Sequence, residues 1–182
     1  MTTRTPTPLN DAGPDATVFI GLGANLGDAR GTLHDALIAL RSLAVPGSFA
    51  ASSLYGSEPV DSSGPDYINA VARLRTALAP HALLAALQAI EQRFGRERPY
   101  RNAPRTLDLD VLLFGVEGAD GGIVLSDDRL TVPHPRAAQR AFVLEPLAEL
   151  WPDGEIPGAG RVADLLDVAR RDGVQHVHRL DV

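Results

Sequence analysis

Tyr67-Ile-Asn-Ala-Val-Ala-Arg-Leu-Arg-Thr76 alternates without a break: Tyr67, Asn69, Val71, Arg73 and Arg75 fall on one face, and Ile68, Ala70, Ala72 and Leu74 on the other. A period of two belongs to a β-strand, and one apolar face backed by a mostly polar one is what a half-buried antiparallel strand requires. Upstream, TVFIGL (17–22) is a short apolar run ending in glycines, hence a strand, and Asp28 to Leu43 carries Leu33, Leu37 and Leu40 at helical spacing until Pro46-Gly47 stops it. FAASSLYG (49–56) reads as another strand. Downstream, Pro80 suits the first position of a helix whose apolar stripe is Leu83, Leu87, Ile90 and Phe94. LDLDVLLFG (107–115) then places Leu107, Leu109, Val111 and Leu113 on one face and Asp108 and Asp110 on the other.

Strand, helix, strand, strand, helix, strand is the ferredoxin-like order, an antiparallel sheet with two helices on one face. A helix from about Pro135 to Leu150 and a last one over Val162 to Arg171 can cover the other face. The expected fold is therefore α+β, a ferredoxin-like three-layer sandwich with a mainly antiparallel sheet and helices on both faces. Residues 1–15, almost free of large apolar side chains, are expected to be a flexible tail, and 16–182 a single domain.

Composition removes several kinds of chemistry. Among 182 residues there is no cysteine, which excludes disulfides, thiolate zinc sites and thiol nucleophiles, and makes the cytoplasm the expected compartment. Neither a secretory h-region nor a run near the roughly 18 apolar residues of a membrane span is found, so no membrane partner is expected. Net charge −6 argues against nucleic acid. All 17 basic residues are arginine, which removes lysine Schiff bases and the lysine of a Walker loop.

Asp108 and Asp110, at i and i+2 of a strand, stand about 7 Å apart at Cα on one face, close enough to share hard cations. Magnesium held by one or two carboxylates plus substrate phosphates is the arrangement of phosphoryl transfer. A pair of aspartates facing water on an edge is the plainer alternative. The segment RFGRERPYRNAPR (93–105), with five arginines and one glutamate, favours the first reading, because guanidinium forks bind phosphate bidentately. GLGANLGD (21–28) lacks the spacing of a dinucleotide loop and reads as a tight structural turn. GSEPVDSSGPD (56–66) is long enough to be a binding loop, and Tyr67 and Asn69 beside it offer an aromatic plane and an amide, as a flat heterocycle needs. His134, near Arg136 and Arg140, could touch phosphate or be structural.

FIGLGANLGD (19–28), SLYGSEPV (53–60), DYINAV (66–71), APRTLDLDVLLFG (103–115) and LTVPHPRAAQRAFVLEPLAEL (130–150), in this order and spacing, resemble the 6-hydroxymethyl-7,8-dihydropterin pyrophosphokinases of folate biosynthesis. The resemblance covers about residues 17–171. It implies transfer of pyrophosphate from ATP to the hydroxymethyl group of the pterin, with AMP released, with ATP and a reduced pterin as substrates and two Mg2+ ions as cofactors; a monomer is expected. It further implies that Asp108 and Asp110 hold the metals and that Tyr67 and Phe142 sandwich the pterin. Asn69 would bind the ring edge, with Ser57, Glu58 and Val60 adding contacts. Gln88, Glu91, Arg98, Arg105, Val111, Arg129, Thr131, His134 and Arg140 would contact ATP, and Arg96, with Arg105, would serve the chemistry. Three positions depart from the family pattern: Asn102 stands for a tryptophan, Gly64 for a glutamine, and Pro135 for an aromatic of some relatives. Rival readings are a nucleotide-sugar transferase, which also uses Asp-x-Asp, and a ferredoxin-like ligand-binding module.

Overall fold

The computed structural model describes residues 15–60, 63–95, 106–173 and 175–181. In chain order these form β1 (Ala16–Ala24), α1 (Ala29–Arg41), β2 (Ala50–Ala51), β3 (Tyr55–Ser57), β4 (Tyr67–Thr76), α2 (Pro80–Arg93), β5 (Asp108–Phe114), β6 (Leu125–Ser126), β7 (Thr131–Val132), a 3-10 turn (Ala137–Gln139), α3 (Ala141–Leu150), β8 (Glu155–Ile156), β9 (Gly160–Arg161), α4 (Val162–Asp172) and β10 (Val177–Arg179). The main sheet runs β10-β3-β4-β1-β5 with β2 also on β4, and every pair is antiparallel. The inner four strands keep the ferredoxin-like order, and β10 extends the sheet at the β3 edge.

Alternation in the strands sorts the core into two layers. Val18, Ile20 and Leu22 of β1, Ala70, Ala72 and Leu74 of β4, and Leu109 and Val111 of β5 pack against Leu33, Ala36 and Leu40 of α1 and Leu83, Leu87 and Ile90 of α2. On the opposite face Phe19, Val71, Leu112 and Leu113 pack against Val143, Leu144 and Leu147 of α3 and Val162 and Leu166 of α4. Each fully buried valine, leucine, isoleucine or phenylalanine among them contributes about 1.5–3 kcal/mol. The sandwich is thus three-layered. Beyond Phe19, the second face of β1 presents Gly21 and Gly23, and there the cover of α3 and α4 gives way to a cavity.

The structure corrects four local expectations. The strand expected at 49–56 is two pieces, because the register slips by one between Ala51, opposite Ala72, and Tyr55, opposite Asn69. In the gap the Val71 N–H donates to Ser52 Oγ at 3.0 Å. Leu113 does not share a face with Leu107, Leu109 and Val111: a bulge makes Phe19 oppose Leu113 while Ile20 opposes Val111, so Leu112 is the extra residue and Leu113 turns to the α3 side. The helix expected from Pro135 starts at Ala141, since the His134 N–H donates to Leu112 O at 2.9 Å and holds the chain against β5. Gly21 and Gly23, read as part of a turn, lie inside β1, and the turn is confined to 25–28, where Asp28 caps α1 by accepting the Gly31 N–H at 3.0 Å. Of the expected tail only Asp15 is described, and it pairs with Arg75 at 2.9 Å. Among the described residues no helix is long and apolar enough to cross a membrane.

A polar clamp joins β3 to α3. Tyr55 O–H donates to Glu149 Oε2 at 2.7 Å, and Ser53 donates through both N–H and O–H to Glu149 Oε1 at 3.0 Å. Burial, then the Glu149 carboxylate, pushes the Tyr55 hydroxyl up to about 12. Burial would raise Glu149, but the bonds from Tyr55 and Ser53 outweigh it and hold the carboxyl below its usual 4.5. A depressed carboxylate stabilises above its unfolded pKa and loses that contribution as pH falls; a raised tyrosine stabilises below 10.0 and loses it as pH climbs through about 12. Tyr55→Phe should therefore cost about 1 kcal/mol near neutral pH, limited because Glu149 is exposed. Thermal denaturation at several pH values checks this, and the gap to the parent should narrow as the pH falls below 4.5.

Candidate active site

The site follows from the sheet register. Gly23 of β1 lies opposite Asn69 of β4 on one side and Asp108 of β5 on the other; Gly21 lies opposite Val71 and Asp110 in the same way. Two rows therefore cross the sheet, each with a glycine at its centre. A cavity of about 470 Å³ opens over them, walled by Ser57, Glu58, Val60, Tyr67 and Phe142 at one end and by Asp108, Asp110, His134 and Arg136 at the other. Neither glycine is needed for backbone conformation, as neither has a positive φ. A Cβ built on Gly21 would stand 3.3 Å from Leu112 Cδ2, and one on Gly23 would meet nothing closer than Asn69 Oδ1 at 3.4 Å.

Asn69 is 4% exposed, and its amide is oriented by its neighbours. Nδ2 donates to Ser57 Oγ at 2.8 Å and to the Tyr55 carbonyl at 3.4 Å. A carbonyl can only accept, so the nitrogen must face it, and Oδ1 is left above Gly23 as an acceptor. Phe142, in the first turn of α3, forms the opposite wall from β4 and carries the Arg140 guanidinium 5.4 Å from its ring centre.

The tautomer of His134 is set by its surroundings. Nδ1 accepts the Arg136 N–H at 3.1 Å, so in the neutral ring Nε2 carries the proton, 3.9 Å from Asp110 Oδ2. Burial, then the Arg140 charge, pushes the imidazole below 6.5 against the opposing pull of Asp108, with Arg136 adding to the depression. At neutral pH the site thus offers an uncharged N–H donor beside two carboxylates.

The structure brings together Ser57, Glu58, Val60, Tyr67, Asn69, Asp108, Asp110, His134, Arg140 and Phe142 of the expected residues. Gln88, Glu91, Val111, Arg129 and Thr131 do not line this cavity. Val111 is 3% exposed, in the core between β5 and the first helical layer. Glu91 is 2% exposed, and its carboxylate accepts the Leu109 N–H at 2.8 Å, so it satisfies the outer edge of β5. Gln88 is exposed on α2, while Arg129 and Thr131 belong to the β6–β7 hairpin, which His81 of α2 holds through Asp127 at 2.7 Å. Glu91 thus lies against the outer edge of β5, while Val111 belongs to the core. Arg96, Arg98 and Arg105, and with them Tyr100 and Asn102, lie outside the described residues. The sequence reading missed Gly21, Gly23, Gln139 and Gln175 as wall residues. A glycine inside an apolar strand is a signal of close approach that could have pointed to the first two.

Asp108 and Asp110 supply hard oxygen donors on one face, and no group of three or more metal-ligating side chains is found among the described residues. This fits magnesium, which is commonly held by one or two carboxylates with substrate phosphates and water completing its shell rather than by an all-protein cage.

A family model described as 7,8-dihydro-6-hydroxymethylpterin-pyrophosphokinase matches residues 19–152. A Pseudomonas aeruginosa protein named 2-amino-4-hydroxy-6-hydroxymethyldihydropteridine pyrophosphokinase is 43% identical over 161 residues, 88% of this chain and 96% of its own. A Haemophilus influenzae protein of the same name is 40% identical over 151 residues, 82% of this chain and 91% of its own. Among solved structures, a Plasmodium falciparum HPPK-DHPS chain superimposes with TM-score 0.65 at 13% identity, over 88% of this chain. At that identity the likeness carries the fold alone, and this chain spans 45% of the solved one.

Proposed function

The chain belongs to the 7,8-dihydro-6-hydroxymethylpterin-pyrophosphokinase family, and we propose that the cavity over Gly21 and Gly23 is where it transfers pyrophosphate from ATP to the hydroxymethyl group of the reduced pterin, in folate biosynthesis. The observation that carries this assignment is the pair of rows across the sheet, with an aromatic and amide end at Tyr67, Asn69 and Phe142 and a carboxylate end at Asp108 and Asp110. Strands are spaced about 4.8 Å apart, so Asn69 and Asp108 are separated by roughly 10 Å, enough for a flat heterocycle whose reactive arm points at phosphates.

Tyr67 and Phe142 hold the ring, and Asn69 Oδ1 accepts an N–H from its edge. This fixes the hydroxymethyl oxygen facing the β-phosphorus and turns a two-substrate encounter into an oriented one. A bond forms between that oxygen and the β-phosphorus while its hydroxyl proton passes to solvent water, and the bond from the β-phosphorus to the oxygen bridging the α-phosphate breaks, so AMP leaves with that electron pair. His134 donates Nε2–H and Arg136 and Arg140 add positive charge where phosphate oxygens gather. Two magnesium ions, held by Asp108 and Asp110 together with ATP, would supply charge neutralisation of the phosphates. Gln88, Glu91, Val111, Arg129 and Thr131 belong, on this reading, to the nucleotide side along the β5 edge, with Arg96, Arg98 and Arg105 as its phosphate-closing arginines. The enzyme would act as a cytoplasmic monomer. The family membership displaces the sugar-transferase and ligand-module readings.

Incubation with ATP and 6-hydroxymethyl-7,8-dihydropterin should release AMP in step with pterin diphosphate, followed by phosphorus NMR. Stoichiometric ADP would overturn the assignment. Tyr67→Ala should weaken pterin binding about 5- to 150-fold, the worth of one aromatic stack, while ATP affinity changes little. An unchanged pterin dissociation constant would move the ring elsewhere.

A further inference from the structure

Gln175 reaches the cavity from the far end of the chain. It precedes β10, whose Val177 pairs with Ser57 on β3, and it lines the same cavity as Glu58, Val60 and Phe142. The segment is anchored: the Leu180 N–H donates to Leu54 O at 2.9 Å, and Arg30 Nη1 donates to Asp181 O at 3.0 Å. Gln175 Oε1 accepts the Ala141 N–H at 2.8 Å, at the first residue of α3, where the N-cap residue Arg140 provides no side-chain cap.

That bond decides which end of the amide is offered. A backbone N–H can only donate, so the oxygen of Gln175 must face it, and the NH2 group is left as a pair of donors with no partner among the described residues. Asn69 is fixed in the opposite sense, its nitrogen bound and its oxygen presented. Asn69 and Gln175 thus offer the cavity one oriented amide acceptor and one oriented amide donor, and a ring carrying both an N–H and an acceptor atom satisfies the two together.

We propose that Gln175 is a specificity-determining residue of the pterin subsite, donating through its NH2 group to a carbonyl oxygen or unprotonated nitrogen of the heterocycle. This rests on the function proposed above. It makes the C-terminal segment part of the substrate site, and it gives one side chain two tasks, since the bond that caps α3 also aims the amide. A merely structural cap predicts something different. In Gln175→Glu a carboxylate accepts the Ala141 N–H as well as the amide does, and a negative charge at a helix N-terminus is favourable, but no donor remains.

The test measures binding of 6-hydroxymethyl-7,8-dihydropterin in the presence of a non-hydrolysable ATP analogue, together with thermal denaturation and AMP release, on the full chain. Gln175→Glu should keep or raise Tm, weaken pterin affinity and raise the pterin KM roughly tenfold, and leave the ATP KM and kcat close to the parent values. Parent-like pterin affinity in Gln175→Glu would overturn the proposal and leave Gln175 a cap. If Gln175→Glu folds poorly, Gln175→Met, of similar length without a donor, decides by the same binding measurement: a tenfold loss supports the donor role and an unchanged affinity refutes it. A parent protein that neither binds the pterin nor releases AMP would instead defeat the function on which the inference rests.

Discussion

Asp108→Asn and Asp110→Asn should each lower turnover by roughly two to three orders of magnitude, the scale on which loss of one electrostatic stabiliser acts in a reaction that builds charge. The two carboxylates share a strand face beside an uncharged histidine, with Asp110 Oδ2 3.9 Å from His134 Nε2. Their apolar neighbours Leu109 and Val111 point the other way into the core, so the substitutions remove charge without opening a void. Asparagine keeps the shape and relieves the repulsion of two like charges, so Tm should stay within about 2 °C of the parent. Steady-state AMP release at saturating magnesium, with thermal denaturation of the same samples, separates the two effects. Turnover within about threefold of the parent for both variants would show that the carboxylates are not the charged end of the site.

Both ends of the site were legible because each lies on a strand with a plain period. The alternation from Tyr67 to Thr76 put Tyr67 and Asn69 on one face, and that from Leu107 to Val111 put Asp108 and Asp110 on one face, as found. The alternation failed at Leu112 because Val111, Leu112, Leu113 and Phe114 are all apolar. Where a strand is covered on both faces hydrophobicity no longer distinguishes them, and a bulge leaves no trace in the pattern. The start of α3 was misplaced for a different reason. His134 is held to β5 by its own backbone, a contact set by tertiary packing and not by local propensity. Gln175 was illegible throughout: its partner Ala141 is 34 positions away, and nothing in the residues around it announces a cap or a cavity wall. Gly21 and Gly23 were misread because glycine ordinarily signals a turn. Their meaning depends on which residues lie opposite, and that required the register of β1 with β4 and β5 at once.

Gly23→Ala is accordingly expected to separate stability from function. The backbone at Gly23 is extended and paired on both sides, so alanine adopts it without strain, and the added Cβ makes only an ordinary contact with Asn69 Oδ1 at 3.4 Å. Replacing a flexible residue at a compatible position should hold or raise stability, by about 0.4–1 kcal/mol. On the proposed function the same methyl stands on the floor between Asn69 and Asp108, where the ring would lie to use the Asn69 acceptor. Overfilling a packed site costs about 1–3 kcal/mol, so pterin affinity should fall about 5- to 150-fold. Gly23→Val, whose branch also suits a strand, should lose still more, with Tm near the parent. Calorimetric titration with the pterin and an ATP analogue, beside thermal denaturation, reads both quantities. If Gly23→Ala lowers Tm by several degrees, the glycine serves the fold. If it leaves both Tm and pterin affinity unchanged, the ring does not pass over β1, and the crossing rows are not the floor of the site.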